Sequence, residues 1–87
     1  MTRFARSLLR YERGRRFWRL VNVDGPQACW PWRGPLDAQG EPDFQGRPAR
    51  VQAYELARGP LPTGTRVERR CGDRLCVNPD HLMPAPE

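Results

Sequence analysis

Every cysteine of this 87-residue chain and its only histidine fall into one pattern: Cys71, Cys76 and His81 stand at two equal five-residue steps, and Cys29 lies upstream. No other feature constrains the fold as much. A core built from so few residues is marginal unless a metal, a disulfide or a partner supplements it. Ten prolines, eight glycines and 38% hydrophobic residues, with a mean hydropathy of −0.81, make the chain loop-rich and sharpen that need. The odd cysteine count argues against a closed disulfide framework. The N-terminal stretch MTRFARSLLRYERGRR lacks the apolar run and cleavage site of a secretory signal, and nothing in the chain approaches the roughly 20 apolar residues of a membrane span. The expectation is an intracellular, cytoplasmic protein whose reduced thiols serve as metal ligands.

Zinc takes four nitrogen or sulfur ligands in a tetrahedron, and the knuckle CGDRLCVNPDH supplies three of them. Cys29 is the natural fourth, although its approach to the knuckle depends on the fold. A closed set of three thiolates and one imidazole leaves no position for substrate, so the ion would be structural and would contribute folding free energy directly. The competing reading makes each cysteine a small buried hydrophobe and His81 a core histidine.

The net charge is +5, and all fifteen basic side chains are arginine. A planar guanidinium fork suits phosphate and carboxylate, so the preferred partner is a polyanion, nucleic acid first. The plainer alternative is a set of solvated surface arginines, especially at the N-terminus.

From Arg3 to Val21 apolar residues recur at helical spacing between arginines, with Gly14 expected to divide the stretch into two short helices. Residues 1–22 therefore read as an arginine-rich helical segment and 23–87 as the zinc domain. Trp30 and Trp32, two apart in CWPWRG, fit one face of a short strand, and Pro31 between them implies a sheet edge. Residues 35–46 read as turns ending in a hairpin arm near Phe44, without identifiable chemistry. RVQAYELAR predicts a helix over 50–58 with Val51, Tyr54 and Leu56 on its apolar face, stopped by Gly59-Pro60. A strand follows over 66–70, then the knuckle, and two prolines prevent MPAPE from starting a long helix. The fold class is small α+β.

The ordered set FW, CWPW, AYEL, GPLP, G-x-x-V and CVNPDHL resembles the phage-type HNH endonucleases of the ββα-metal class, and the knuckle is similar to that of the His-Cys box homing nucleases. The resemblance runs from about Arg16 to Leu82. It implies that Cys29, Cys71, Cys76 and His81 bind a structural zinc, and it implies a phage or prophage protein in a bacterial host.

The catalytic positions depart from that pattern. Where the resemblance implies a histidine three residues before the alanine of AYEL, Arg50 stands; where it implies the general-base histidine two residues before the first knuckle cysteine, Arg69 stands. The resemblance also implies a helix after His81-Leu82 carrying a ligand for a catalytic divalent ion, and the sequence given stops at Glu87 before such a ligand. A guanidinium cannot lose its proton near neutral pH, and loss of a positioned base costs about 10²- to 10⁴-fold in rate. The expectation is a catalytically inactive, pseudonuclease-like zinc protein. Its arginine face, Arg47, Arg50, Arg69, Arg70 and Arg74, would bind DNA or RNA through phosphate with little sequence choice. Two alternatives stand beside it: a phage-borne interaction module or inhibitor that meets an acidic surface on a host protein, and a residual endonuclease. For the latter, Glu68, Asp73 and Asp80 are conceivable metal ligands, though turn and surface roles suit them better.

Overall fold

The computed structural model describes residues 14–87; the helical stripe expected through Phe4, Leu8, Leu9 and Tyr11 lies outside them. Helix α1 covers residues 14–18 and tightens into a turn, with the Leu20 N–H donating to Phe17 O and the Val21 N–H to Trp18 O. Gly14 is the first described residue of this helix and is buried; the division expected there depends on residues outside the described ones. A Cβ on it would lie 2.7 Å from Trp18 Nε1 and 3.0 Å from Leu56 Cδ1, so packing requires a glycine here.

Phe17 is the centre of the aromatic core. Its ring meets Trp18 and Phe44 edge-on at 4.9 and 5.4 Å and Trp32 at 5.0 Å. Such arrangements suit the ring quadrupoles, and two of the three indoles have acceptors for their N–H groups: Pro35 O for Trp32 and Gly25 O for Trp30. Val21, Ala49, Ala53, Val67, Val77 and Leu82 complete the core.

The segment around Pro31 is not a sheet edge. It is bridged on both sides, Val21 to Trp32 and Pro31 to Cys76. Trp30 O and the Trp32 N–H bond to the 75–77 side, while Pro31 O and the Arg33 N–H bond to the 20–22 side. Proline is accepted in this central position because the two N–H groups that the bridges use belong to Trp32 and Arg33, and Pro31 contributes only its carbonyl.

Strands β1 (Asp43–Phe44) and β2 (Arg47–Pro48) form the expected hairpin. Its two turn residues, Gln45 and Gly46, both take positive φ, 55° and 84°, as a two-residue turn matched to strand twist requires. Helix α2 (Ala49–Arg58) follows directly and ends at Gly59, whose N–H donates to Glu55 O at 2.9 Å. Its innermost residues are the small Ala49 and Ala53, with Val51, Tyr54 and Leu56 half-buried beside them; alanine on that line lets the helix axis lie close to the strand behind it.

That strand is β3 (Thr65–Arg69), antiparallel to β4 (Leu82–Pro86) with Arg69 opposite Leu82 and Thr65 opposite Pro86. The knuckle is the connection between them and includes a 3₁₀ turn at Pro79–His81. The residues directly after His81 therefore form a strand. Two prolines are compatible with it because of register. The Arg70 N–H donates to His81 O and the Glu87 N–H to Gly64 O, so the hydrogen-bonded rungs fall on residues 81, 83, 85 and 87. Pro84 and Pro86 occupy the alternate rungs, where a strand N–H would face away from β3. The same prolines blunt the outer edge of β4.

Candidate metal centre and arginine-lined cavity

The fold brings Cys29, Cys71, Cys76 and His81 together, with their donor atoms all within 4.8 Å of one another. Two separate devices deliver Cys29 to the knuckle. One is the backbone pairing of residues 30–32 with 75–77. The other is Asn78, 1% exposed, whose Nδ2 donates to Pro26 O at 3.1 Å and Ala28 O at 2.6 Å while its Oδ1 accepts from the Asp80 N–H at 2.9 Å. Each of these three bonds serves the loop that holds Cys29 or the turn that holds His81.

His81 is oriented for coordination. Its Nε2 lies 3.1 Å from Gln27 O, a pairing that places the proton on Nε2 and leaves the Nδ1 lone pair facing the thiols. Nδ1 stands 3.7 Å from Cys29 Sγ and 3.4 Å from Cys76 Sγ. A tetrahedral zinc with bonds of about 2.3 Å to sulfur and about 2.0 Å to nitrogen has sulfur–nitrogen edges of roughly 3.5 Å, so the donor spacing fits such an ion. The ionisation pattern points the same way. The Cys29 thiol is pushed up to about 12, chiefly by its contact with Cys76, then by burial and by Cys71. Burial also acts to raise Cys71, but the Asp73 backbone N–H and the His81, Cys29 and Cys76 side chains together hold it below its ordinary value. One thiolate is favoured at its neighbour's expense because the sulfurs crowd one another.

Among the described residues this quartet is the one group of three or more histidine, cysteine or acidic side chains placed to hold a metal. The acids considered as makeshift ligands do other things. Asp73 accepts from the Leu75 N–H at 3.0 Å within its turn, Asp80 pairs with Arg58, and Glu68 pairs with Arg66 at 3.3 Å.

Beside the knuckle, a cavity of about 370 Å³ is lined by Glu41, Arg50, Arg66, Val67, Glu68, Arg69 and Gly72. Arg50 and Arg69, which replace the two expected histidines, both reach it. Arg50 is pinned from α2, its Nε donating to Val67 O at 2.8 Å. Arg69, on β3 with 17% of its side chain exposed, pairs through Nη2 with Glu41 Oε2, while its Nε is buried with no hydrogen-bond partner among the described residues. Arg74 approaches the other oxygen of Glu41 at 3.7 Å. Arg70 is exposed at the entrance to the knuckle. Arg47 stands apart, paired with Glu55 at 3.0 Å and not among the cavity residues.

Glu41 is the site residue that the sequence did not reveal. It lies in the turn segment 35–46, which showed no chemistry, and it is 28 residues from Arg69. A lone acid in a loop carries no sequence signal; only the packing of that loop against β3 selects it.

The family model described as HNH endonuclease matches residues 47–86, from β2 through α2, β3 and the knuckle to β4. The match supports an HNH-type endonuclease-like domain over this stretch, in a small α+β fold whose Cys/His cluster could hold a metal ion. No curated protein and no solved structure matches the chain. Among the described residues no helix is long and apolar enough to cross a membrane.

Proposed function

We propose that the chain is a zinc-stapled HNH-like protein that binds nucleic acid, DNA foremost, without cutting it. The observation that carries this reading is the shared position of Arg50 and Arg69 on the cavity beside the knuckle. Hydrolysis needs a base able to accept a proton from water near neutral pH, and a guanidinium is not one. A cleft suited to a phosphodiester and lined by fixed guanidinium groups favours holding phosphate over breaking its ester bonds. Cys29, Cys71, Cys76 and His81 would hold the zinc, whose role is to fix β3, β4 and the Cys29 loop relative to one another.

Binding of this kind is electrostatic, so affinity for duplex DNA must fall steeply with salt and vary little with sequence. Gel shifts across a salt series test it; affinity indifferent to salt, or no binding at low salt, would sink the idea. Zinc-loaded protein with supercoiled plasmid and Mg²⁺ or Mn²⁺ tests the inactive assignment. Chelator-sensitive nicking that disappears in Arg69→Ala would establish an endonuclease instead. Capture of an acidic host protein that survives nuclease treatment, with no binding to duplex, would favour the interaction module.

A further inference from the structure

We propose that Glu41 is a built-in competitor for the phosphate at Arg69, one that must swing away when nucleic acid binds. The inference rests on the nucleic-acid reading above and adds a determinant of affinity within that site. An arginine presents its Nε–H and one terminal N–H as a parallel fork that a phosphate takes with two oxygens. In Arg69 one half of that fork is occupied, Nη2 by Glu41 Oε2, and the other half, Nε, is buried without a partner among the described residues. The carboxylate does not close the fork. Its second oxygen turns toward Arg74 Nε, 3.7 Å away. Glu41 is thereby shared between two arginines, and the edge of Arg69 best suited to phosphate is blocked by a group that makes half of the available bonds.

The loop under Glu41 allows the exchange. Asp37 Oδ1 accepts from the Gln39 and Glu41 N–H groups at 2.8 and 3.0 Å, and the Asp37 N–H donates to Glu41 O at 2.8 Å. The backbone at Glu41 is thus fixed independently of its side chain, which can rotate away without opening the loop. An arriving phosphate would then gain both donors of Arg69 and release Arg74 from its carboxylate. The wild-type affinity would be set by this competition, not by the arginines alone.

Fluorescence anisotropy with a labelled DNA duplex and its RNA counterpart, over a salt series, tests the proposal on wild type, Glu41→Gln, Glu41→Asp, Glu87→Gln, Arg69→Ala and the Glu41→Gln/Arg69→Ala double variant. Glu41→Gln should bind roughly tenfold tighter, with a log–log salt slope steeper by about 0.9, the equivalent of one more phosphate. Glu41→Asp keeps the charge but withdraws it, and should bind at least about threefold tighter. Glu87→Gln removes the same charge from the C-terminus and should change affinity by less than about twofold. In the Arg69→Ala background the gain from Glu41→Gln should vanish. The proposal is overturned if the Glu41 variants, with unchanged zinc content and thermal unfolding, bind no tighter than wild type, or if the gain persists without Arg69. Wild-type binding in that case leaves the nucleic-acid reading intact, whereas failure of every variant to bind at low salt removes both.

Discussion

Asn78 fastens Cys29 to the knuckle: from within the 76–81 segment, its buried amide reaches back across the chain to the carbonyls of Pro26 and Ala28, the residues just before Cys29. The relationship matters because three of the four candidate metal ligands are local in sequence and the fourth is not. Asn78→Ala removes both bonds and the one to the Asp80 N–H. A buried polar group left unpaired costs about 1–3 kcal/mol. The variant should lose about 3 kcal/mol in denaturant unfolding of the metal-loaded protein and bind zinc more weakly in a chelator competition.

Metal removal should unfold the domain, because the quartet joins the Cys29 loop, β3 and β4 where the core is thin. One zinc per chain is expected by elemental analysis. Chelation, or Cys29→Ser, should abolish the cooperative thermal transition and disperse the amide spectrum. With the Cys29 thiol pushed up to about 12 in the metal-free protein, binding at neutral pH must release protons. Zinc and protons compete for the same sulfurs, so apparent zinc affinity should fall as pH is lowered. A titration showing no proton release would contradict the assignment of thiolate ligands.

Arg69 and Arg47 should separate cavity binding from general charge. Arg69→Ala removes a cavity guanidinium and should weaken DNA binding roughly five- to tenfold while lowering the salt slope by about one. Arg47, held by Glu55 outside the cavity, should matter less than about threefold when replaced by alanine. Equal losses would mean that the basic surface acts as a whole.

Gly14→Ala offers a test of packing through the sign of its effect. In an exposed helix the change would stabilise by about 1 kcal/mol. Here the added methyl meets Trp18 Nε1 at 2.7 Å and Leu56 Cδ1 at 3.0 Å. Overpacking typically costs about 1–3 kcal/mol, so net destabilisation is expected on thermal or chemical unfolding.

Much of the local structure is legible from residue pattern. Helix α2 is announced by AYELAR and its Gly-Pro stop, and the β1–β2 turn by its glycine. The knuckle is marked by equal spacing of sulfur and nitrogen donors. Two features were not legible, each because it depends on partners distant in sequence. The Pro31 segment is central because 20–22 and 75–77 flank it, which its own residues do not encode. Strand β4 is written in a sequence with two prolines that argues against a strand until its register with β3 shows that neither would have donated to the ladder.

The sequence by itself determined the chemistry available: a donor set that suits a tetrahedral metal, an arginine-only basic complement, and guanidinium groups where the HNH resemblance places its histidines. Those are properties of side chains and short spacings, and they survive without a fold. The tertiary structure decided which of them act together. It carried Cys29 across 42 residues to Cys71, set Arg50 and Arg69 on one cavity, and placed Glu41 against the half-occupied fork of Arg69. Contacts at that separation are fixed by the packing of a shared core around Phe17 and Val67, whose geometry no single stretch of the chain encodes.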